Sequence, residues 1–334
     1  MKIFFLKKNM NTRIHNTLIC QLWNSRTTNK KLAISLQMGW VMALDYAQSG
    51  NFIASGGLDN MCSVFQITED SVGWETKTAN AELRQHEGYI SDNKFVDDTK
   101  ILTASGDSTI IEWDLTTKHH GRTFKDHTGL YISSFINSFV LLSFPPFFFF
   151  FLEFLPFLSL IRRKRMWLTN TNIFVGDVMS VNLHPTEKRL FVSGSTDGTV
   201  KLWDLRVDKC TQTFRAHSSD VNVARYFPNG RCVASGSDDS TIRLWDIPSR
   251  RQVNQYDDLQ NKSVPAVADL DFTLSGSTLY ASYADPPYCL AWNTLSAEKV
   301  DTVLHTVRAP RLRIHPKGHA LASGGWDCIV RIFA

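Results

Sequence analysis

Histidine, serine or threonine, and aspartate recur together in this chain, and those are the residue types of acid–base and nucleophilic catalysis. Asp59, Asp107, Asp197, Asp239 and Asp327 each stand six residues before an aromatic residue. Four positions before them stand Ser55, Thr103, Ser193, Ser235 and Ser323. His86, His217 and His305 precede their aspartates by 21, 22 and 22 residues, and His127 precedes Asp197 by 70. A single Ser/His/Asp set could be a hydrolase triad. A set repeated in phase along the chain is structural, because no enzyme needs an active site in every repeat. A buried Asp or His is costly unless each polar atom is paired, so the sets are expected to form hydrogen-bonded networks. These networks are His86, Thr103, Asp107 and Trp113; His127, Ser193, Asp197 and Trp203; and His217, Ser235, Asp239 and Trp245. No Gly-rich phosphate loop, metal constellation or activated nucleophile is present, so the chain is read as no enzyme, with no cofactor.

The elements that must carry these residues follow from the repeat. Short segments end in Trp23, Phe65, Trp113, Trp203, Trp245, Trp292 and Phe333. Their steps are 42, 48, 90, 42, 47 and 41 residues. A period of 40–45 residues closing on Trp-Asp is the WD40 pattern, one four-stranded blade per repeat. Runs such as RLFVSGS, TVKLWDL and TIRLWDI are short, rich in β-branched and aromatic residues, and bounded by Gly, Asp and Ser. The expectation is an all-β, seven-bladed propeller. Ala281, where the others carry Ser or Thr, breaks one network, and Pro286-Pro287 adds a residue before Trp292.

Two stretches depart from the repeat. Residues 1–16 match no blade, so the first blade is expected to be truncated. The 90-residue step exceeds a repeat by the length of 130–176. The domains are thus an unmatched 1–16, a propeller part over 17–129, an apolar insertion of 47 residues over 130–176 in blade four, and a propeller part over 177–334. Three readings of the insertion compete. Leu130 to Ile161 is apolar enough for a membrane span, with Arg162, Arg163, Lys164 and Arg165 following as a basic flank. Pro145, Pro146, Pro156 and Glu153 oppose that, as does a position inside a blade. An exposed loop with five consecutive Phe would be an aggregation hazard. The third reading, a translated intron, is the one the residues favour. A T-rich tract encodes Phe runs, Leu168-Thr169-Asn170 can encode a branch-type CTAAC, and both junctions can encode splice signals.

Composition narrows the function. The net charge of +4 is small, and 130–176 carries most of it, so nothing favours nucleic acid. Six scattered cysteines without a CxxC pair fit a reduced, intracellular setting. MKIFFLKKNM is too short and too basic for a clear signal peptide.

Longer phrases are more specific than the repeat. WNSRTTNK, GWVMALDYAQSGNFIASGGLDNMCSVFQI, HEGYISDNKF, GDVMSVNL, AHSSDVNVARYFPNG and SGGWDCIVRIFA resemble the β subunits of heterotrimeric G proteins over about 21–129 and 177–334. The resemblance implies a non-catalytic signal transducer. One propeller face would bind the GDP-form α subunit and effectors in turn, and the chain would pair with a γ subunit. The implied α-subunit and effector face is Trp40, Met42, Leu58, Tyr89, Asp177, Met179, Asp220, Asn222, Asp238 and Trp326. Apolar anchors with a few carboxylates for register suit such a face. Membrane contact would come only through lipidated partners, which places the chain in the cytoplasm at the inner face of the plasma membrane. The alternative is a generic intracellular WD-repeat scaffold. The family's amino-terminal helix is absent from these residues, and blade six is the weakest match.

Overall fold

The computed structural model describes residues 2–8, 18–24, 30–36, 40–67, 73–75, 78–127, 176–257, 265–284, 287–304, 311–318, 320–325 and 330–333. The stretch 130–175, and Trp326 with Asp327, lie outside them. Among the described residues there are strands and turns and no helix.

The strands form seven sheets. The first holds β1 (Lys2–Lys8), β2 (Leu18–Asn24), β3 (Lys30–Leu36) and β7 (Gly73–Glu75). The second is β4 (Val41–Tyr46), β5 (Phe52–Gly57), β6 (Met61–Gln66) and β8 (Ala81–Arg84). The third is β9 (Ile90–Phe95), β10 (Lys100–Ser105), β11 (Ile110–Asp114) and β12 (His119–Phe124). The fourth is β13 (Val178–Leu183), β14 (Leu190–Ser195), β15 (Thr199–Asp204) and β16 (Gln212–Arg215). The fifth is β17 (Val221–Tyr226), β18 (Cys232–Ser237), β19 (Ile242–Asp246) and β20 (Arg251–Tyr256). The sixth is β21 (Val267–Phe272), β22 (Thr278–Tyr283), β23 (Tyr288–Asn293) and β24 (Lys299–Leu304). The last has three strands, β25 (Arg311–Ile314), β26 (Leu321–Gly324) and β27 (Val330–Phe333).

Six of these sheets are blades of one propeller, because β4, β9, β13, β17, β21 and β25 pack against one another in that order. The expected count of seven blades is thus corrected to six. The reason is local. Among the described residues, β1 pairs with β2, and the first sheet gives no strand to that succession of inner strands. The fourth strand of that sheet, β7, pairs parallel to β3 and comes from the connection between β6 and β8.

Within each blade, alternate residues face the two neighbouring blades, so the core is divided into wedges. Leu102, Ile110 and Phe124 of one blade share a cluster with Val181, Phe191 and Trp203 of the next. Val192 and Phe214 share another with Ala224 and Trp245. The largest wedge lies between the β17 and β21 blades and includes Ile242, Tyr256, Leu270 and Trp292. Among the described residues, the wedge at the last blade is the smallest, with Cys289, Leu312 and Leu321 buried.

Toward the axis, polar side chains bridge successive inner strands. Asp45 accepts the Phe95 N–H at 2.8 Å, Asp92 that of Val181 at 3.1 Å, and Asn182 that of Tyr226 at 3.1 Å. Asp269 accepts the Leu312 N–H at 3.0 Å, and Asp271 that of Ile314 at 2.8 Å. Cations interleave with these acids: Lys94 pairs with Asp45 at 3.1 Å, Arg225 with Asp269 at 3.3 Å, and Arg313 with Asp269 at 2.9 Å. Buried charges persist only when paired and hydrogen-bonded in this way.

Candidate functional site

The polar networks form first from local turn chemistry. In the β9 blade, one oxygen of Asp107 accepts the Thr109 N–H at 2.9 Å and its hydroxyl at 2.6 Å, which fixes the turn between β10 and β11. The other oxygen takes the His86 Nδ1–H at 2.7 Å. His86 Nε2 meets Thr103 Oγ1 at 2.8 Å, and the Trp113 indole N–H donates to that same hydroxyl at 2.8 Å. A hydroxyl that accepts from the indole has its proton free for Nε2, which leaves Nδ1 carrying the hydrogen toward the carboxylate. The β13 blade repeats this with His127, Asp197, Ser193 and Trp203 at 2.7–2.8 Å. The β17 blade repeats it with His217, Asp239, Ser235 and Trp245 at 2.7–2.9 Å.

Electrostatics favour the ionised Asp in all three networks. Burial opposes ionisation of Asp107, yet the His86 and Thr109 hydrogen bonds outweigh it and hold the carboxyl down at about 2. Asp197 and Asp239 are lowered by the same balance. Burial pushes the His127 imidazole below its usual value. Thr103, Ser193 and Ser235 are fully buried, and each oxygen already takes an indole N–H. No substrate could reach them, so this chemistry holds turns rather than cleaves bonds.

Elsewhere the network is incomplete. At β22, Ala281 supplies no hydroxyl, and the Trp292 indole N–H has no partner among the described residues. At β26, the buried Ser323 hydroxyl has no partner among the described residues, and Phe333 stands at the repeat position that Trp holds elsewhere. His305, Asp327 and Asp285 lie outside the described residues.

The second group of residues lies at one end of the blades. Three backbone positions supply all of them. The residue just before the inner strand is Trp40, Tyr89, Asp177 or Asp220 in successive blades. The second residue of that strand is Met42, Met179 or Asn222, with Ser91 in the β9 blade. The first residue after the next strand is Leu58 or Asp238, with Gly106 and Thr196 between them. One backbone bond recurs at this rim. The N–H of Leu58, Gly106, Thr196 and Asp238 donates to the carbonyl of Trp40, Tyr89, Asp177 and Asp220, at 2.9–3.0 Å.

Side-chain chemistry changes around the rim. Trp40, Met42 and Leu58 are large apolar residues exposed to 69, 43 and 52%. Next, the Tyr89 hydroxyl donates to Asp177 at 3.0 Å and touches Met179 Sδ at 3.6 Å. Burial and the neighbouring Asp177 push the Tyr89 hydroxyl well above its ordinary value, so it stays a donor. Its ring lies over Gly106, where a Cβ would come within 2.4 Å of it, so only glycine admits the tyrosine there. Asn222 then donates to Asp238 at 2.6 Å and to the Val267 carbonyl at 2.9 Å. In the β21 blade the same three positions are Ala266, Ala268 and Ala284, with the same rim bond at 2.9 Å. That blank sector escaped the sequence reading, although the alanines stand in phase with the other rim residues. Trp326 lies outside the described residues.

Comparison with known proteins matches the repeat and 94% of the chain. The family model described as "WD domain, G-beta repeat" matches residues 33–66, 169–204, 208–246 and 304–333. The chain is 32% identical over 324 residues to the guanine nucleotide-binding protein subunit beta of Zea mays, an alignment covering 94% of this chain and 74% of that protein. It is 33% identical over 322 residues to the guanine nucleotide-binding protein subunit beta-2 of Nicotiana tabacum. It is 32% identical over 321 residues to the corresponding subunit of Arabidopsis thaliana. These last two alignments also cover 94% of this chain and 74% of the relative.

Proposed function

This chain belongs to the guanine nucleotide-binding protein β-subunit family, and we propose that it uses its graded rim to hold a GDP-bound α subunit and, once that subunit is activated, effector proteins. The transducer itself is non-catalytic. The observation that carries the proposed surface is the run of three exposed apolar side chains, Trp40, Met42 and Leu58, tied together by the Leu58 N–H to Trp40 carbonyl bond at 3.0 Å. Apolar anchors next to carboxylates make a surface in which a few residues carry most of the affinity. Asp177, Met179, Asp220, Asn222 and Asp238, with Tyr89, extend it, and Trp326 belongs to the same proposed face. A γ subunit is the proposed dimer partner, and its lipid would bring the complex to the inner face of the plasma membrane.

Two finer features belong to the same proposal. The sheet of β1, β2, β3 and β7 takes the place of a truncated first blade. In support, Ile34 of β3 is buried in one cluster with Ile53, Phe65 and Ile67, as neighbouring blades share a wedge. Residues 130–176 are an insertion foreign to the blade. In support, His127 bonds Asp197 at 2.8 Å, and a Cβ on Gly176 would stand 2.9 Å from the same side chain, so the two ends of the stretch meet at one residue.

The test is capture of an α subunit by the full chain with a γ subunit, in GDP and activated states. GDP-selective capture is expected. Leu58→Ala should weaken it by about 1–3 kcal/mol while the melting temperature stays unchanged. Capture that ignores the nucleotide state, or no capture, would leave a generic WD-repeat scaffold instead.

A further inference from the structure

We infer that Arg311 is the clasp of the ring, a positioning residue that joins the last blade to the strands carrying the apolar end of the rim. Its value for partner binding rests on the function proposed above; its action within the fold does not.

The inference begins with the steps around the axis. Every step from β4 to β25 combines strand packing with a polar bridge between inner strands. The return from β25 to β4 has no comparable packing among the described residues. Among the described residues the last blade also has the fewest strands, three, and the smallest buried cluster. At this seam the Arg311 guanidinium reaches the Met42 carbonyl at 3.5 Å and the Ser91 carbonyl at 3.4 Å. Those carbonyls belong to β4 and β9, the first two inner strands. Both are the second residue of their strand, the rim position described above. Ser91 in turn donates its hydroxyl to the Val178 carbonyl of β13. One side chain therefore ties the end of the ring to its beginning, at the level of the rim.

Arginine suits the task for physical reasons. Its planar fork offers several donors at fixed angles, so one residue serves two carbonyls on different strands. Its field helps hold Asp92 and Asp269 ionised. Its neighbour two residues on, Arg313, pairs with Asp269 of the preceding blade at 2.9 Å. The last inner strand thus grips the preceding blade through Arg313 and the opening blades through Arg311. Met42 sits at the joint. Without the clasp, its backbone keeps only the bonds of its own blade, and the apolar rim moves independently of the seam.

The experiment uses the full chain with Arg311→Gln and Arg311→Lys, read by methionine-methyl NMR and amide hydrogen exchange. In Arg311→Gln the Met42 methyl resonance is expected to shift while those of Met61 and Met179 hold. Amides of β4, β9 and β25 should exchange about tenfold faster, with β17 unchanged. Arg311→Lys, which keeps the charge and one reach, should recover part of both signals. An unmoved Met42 resonance overturns the inference. So does a rise in exchange shared by all blades, or a lysine variant no better than glutamine. None of these readouts needs a partner, so they stand apart from the α-subunit test. If the clasp holds and the rim binds, Arg311→Gln should also loosen α-subunit capture.

Discussion

At Trp292 the buried indole N–H meets no acceptor among the described residues, and Ala281 stands where Thr103, Ser193 and Ser235 supply a hydroxyl elsewhere. Ala281→Ser restores that oxygen at the equivalent strand position. It is expected to stabilise the protein by about 1 kcal/mol, the ordinary value of a hydrogen bond made to an otherwise unsatisfied buried group. Thermal melts of the two proteins decide this: an unchanged or lower melting temperature would show that Ser does not reach the indole. The three networks were readable from sequence because His, Ser or Thr, Asp and Trp are identifiable types at fixed offsets. The axial bridges were not. Asp45 and Phe95, or Asp271 and Ile314, lie in different repeats, and one partner in each bond is a backbone N–H that no residue type reveals.

Elements were legible to the extent that their signals were local. Short β-branched runs bounded by turn residues gave the five four-stranded blades of the ring. The count of seven rested on aromatic marks, and Trp23 is such a mark. A mark shows one strand of a blade, while joining the ring takes an inner strand, which the described residues before β2 do not provide. The pairing of β7 with β3 had no signal, since a three-residue strand has no periodicity to read. The joint at Asp197 gives a prediction at this scale. A chain lacking 130–176 brings Gly129 into the place of Gly176, so that His, Thr and Gly run directly into Asp177. That variant should fold with the β13 network intact and a melting temperature at least equal to the full chain's. A lower melting temperature would mean that the stretch supports the blade. In either case a long chain excursion costs little, because loop-closure entropy grows only with the logarithm of length.

For the whole molecule, stability depends on the same polar set in three consecutive blades. Burial opposes ionisation of Asp107, Asp197 and Asp239, but hydrogen bonds from His and Thr prevail and lower all three carboxyls. A carboxyl lowered on folding stabilises fully above its unfolded value and loses that contribution as pH falls toward its folded value. For Asp107 the window runs from 3.8 down to about 2. The melting temperature should therefore hold as pH falls toward 4 and drop steeply below it, and Asp107→Asn should flatten part of the drop. Equal acid profiles for the two proteins would show that these carboxyls do not govern acid unfolding. A propeller's stability is spread over nearest-neighbour wedges, so loss of the networks in adjacent blades should be cooperative rather than confined to one.

The alanines at the rim of the β21 blade have a consequence for geometry. A closed array of near-identical units presents near-identical landing places, and a flat ligand could settle on it at several rotational settings. Here the sequence of sectors is bulky, then acidic, then blank, read in one direction from Trp40 to Ala284. No rotation maps that order onto itself. For a partner seated on the proposed face, the blank sector would be the zero mark on a dial that sets its azimuth.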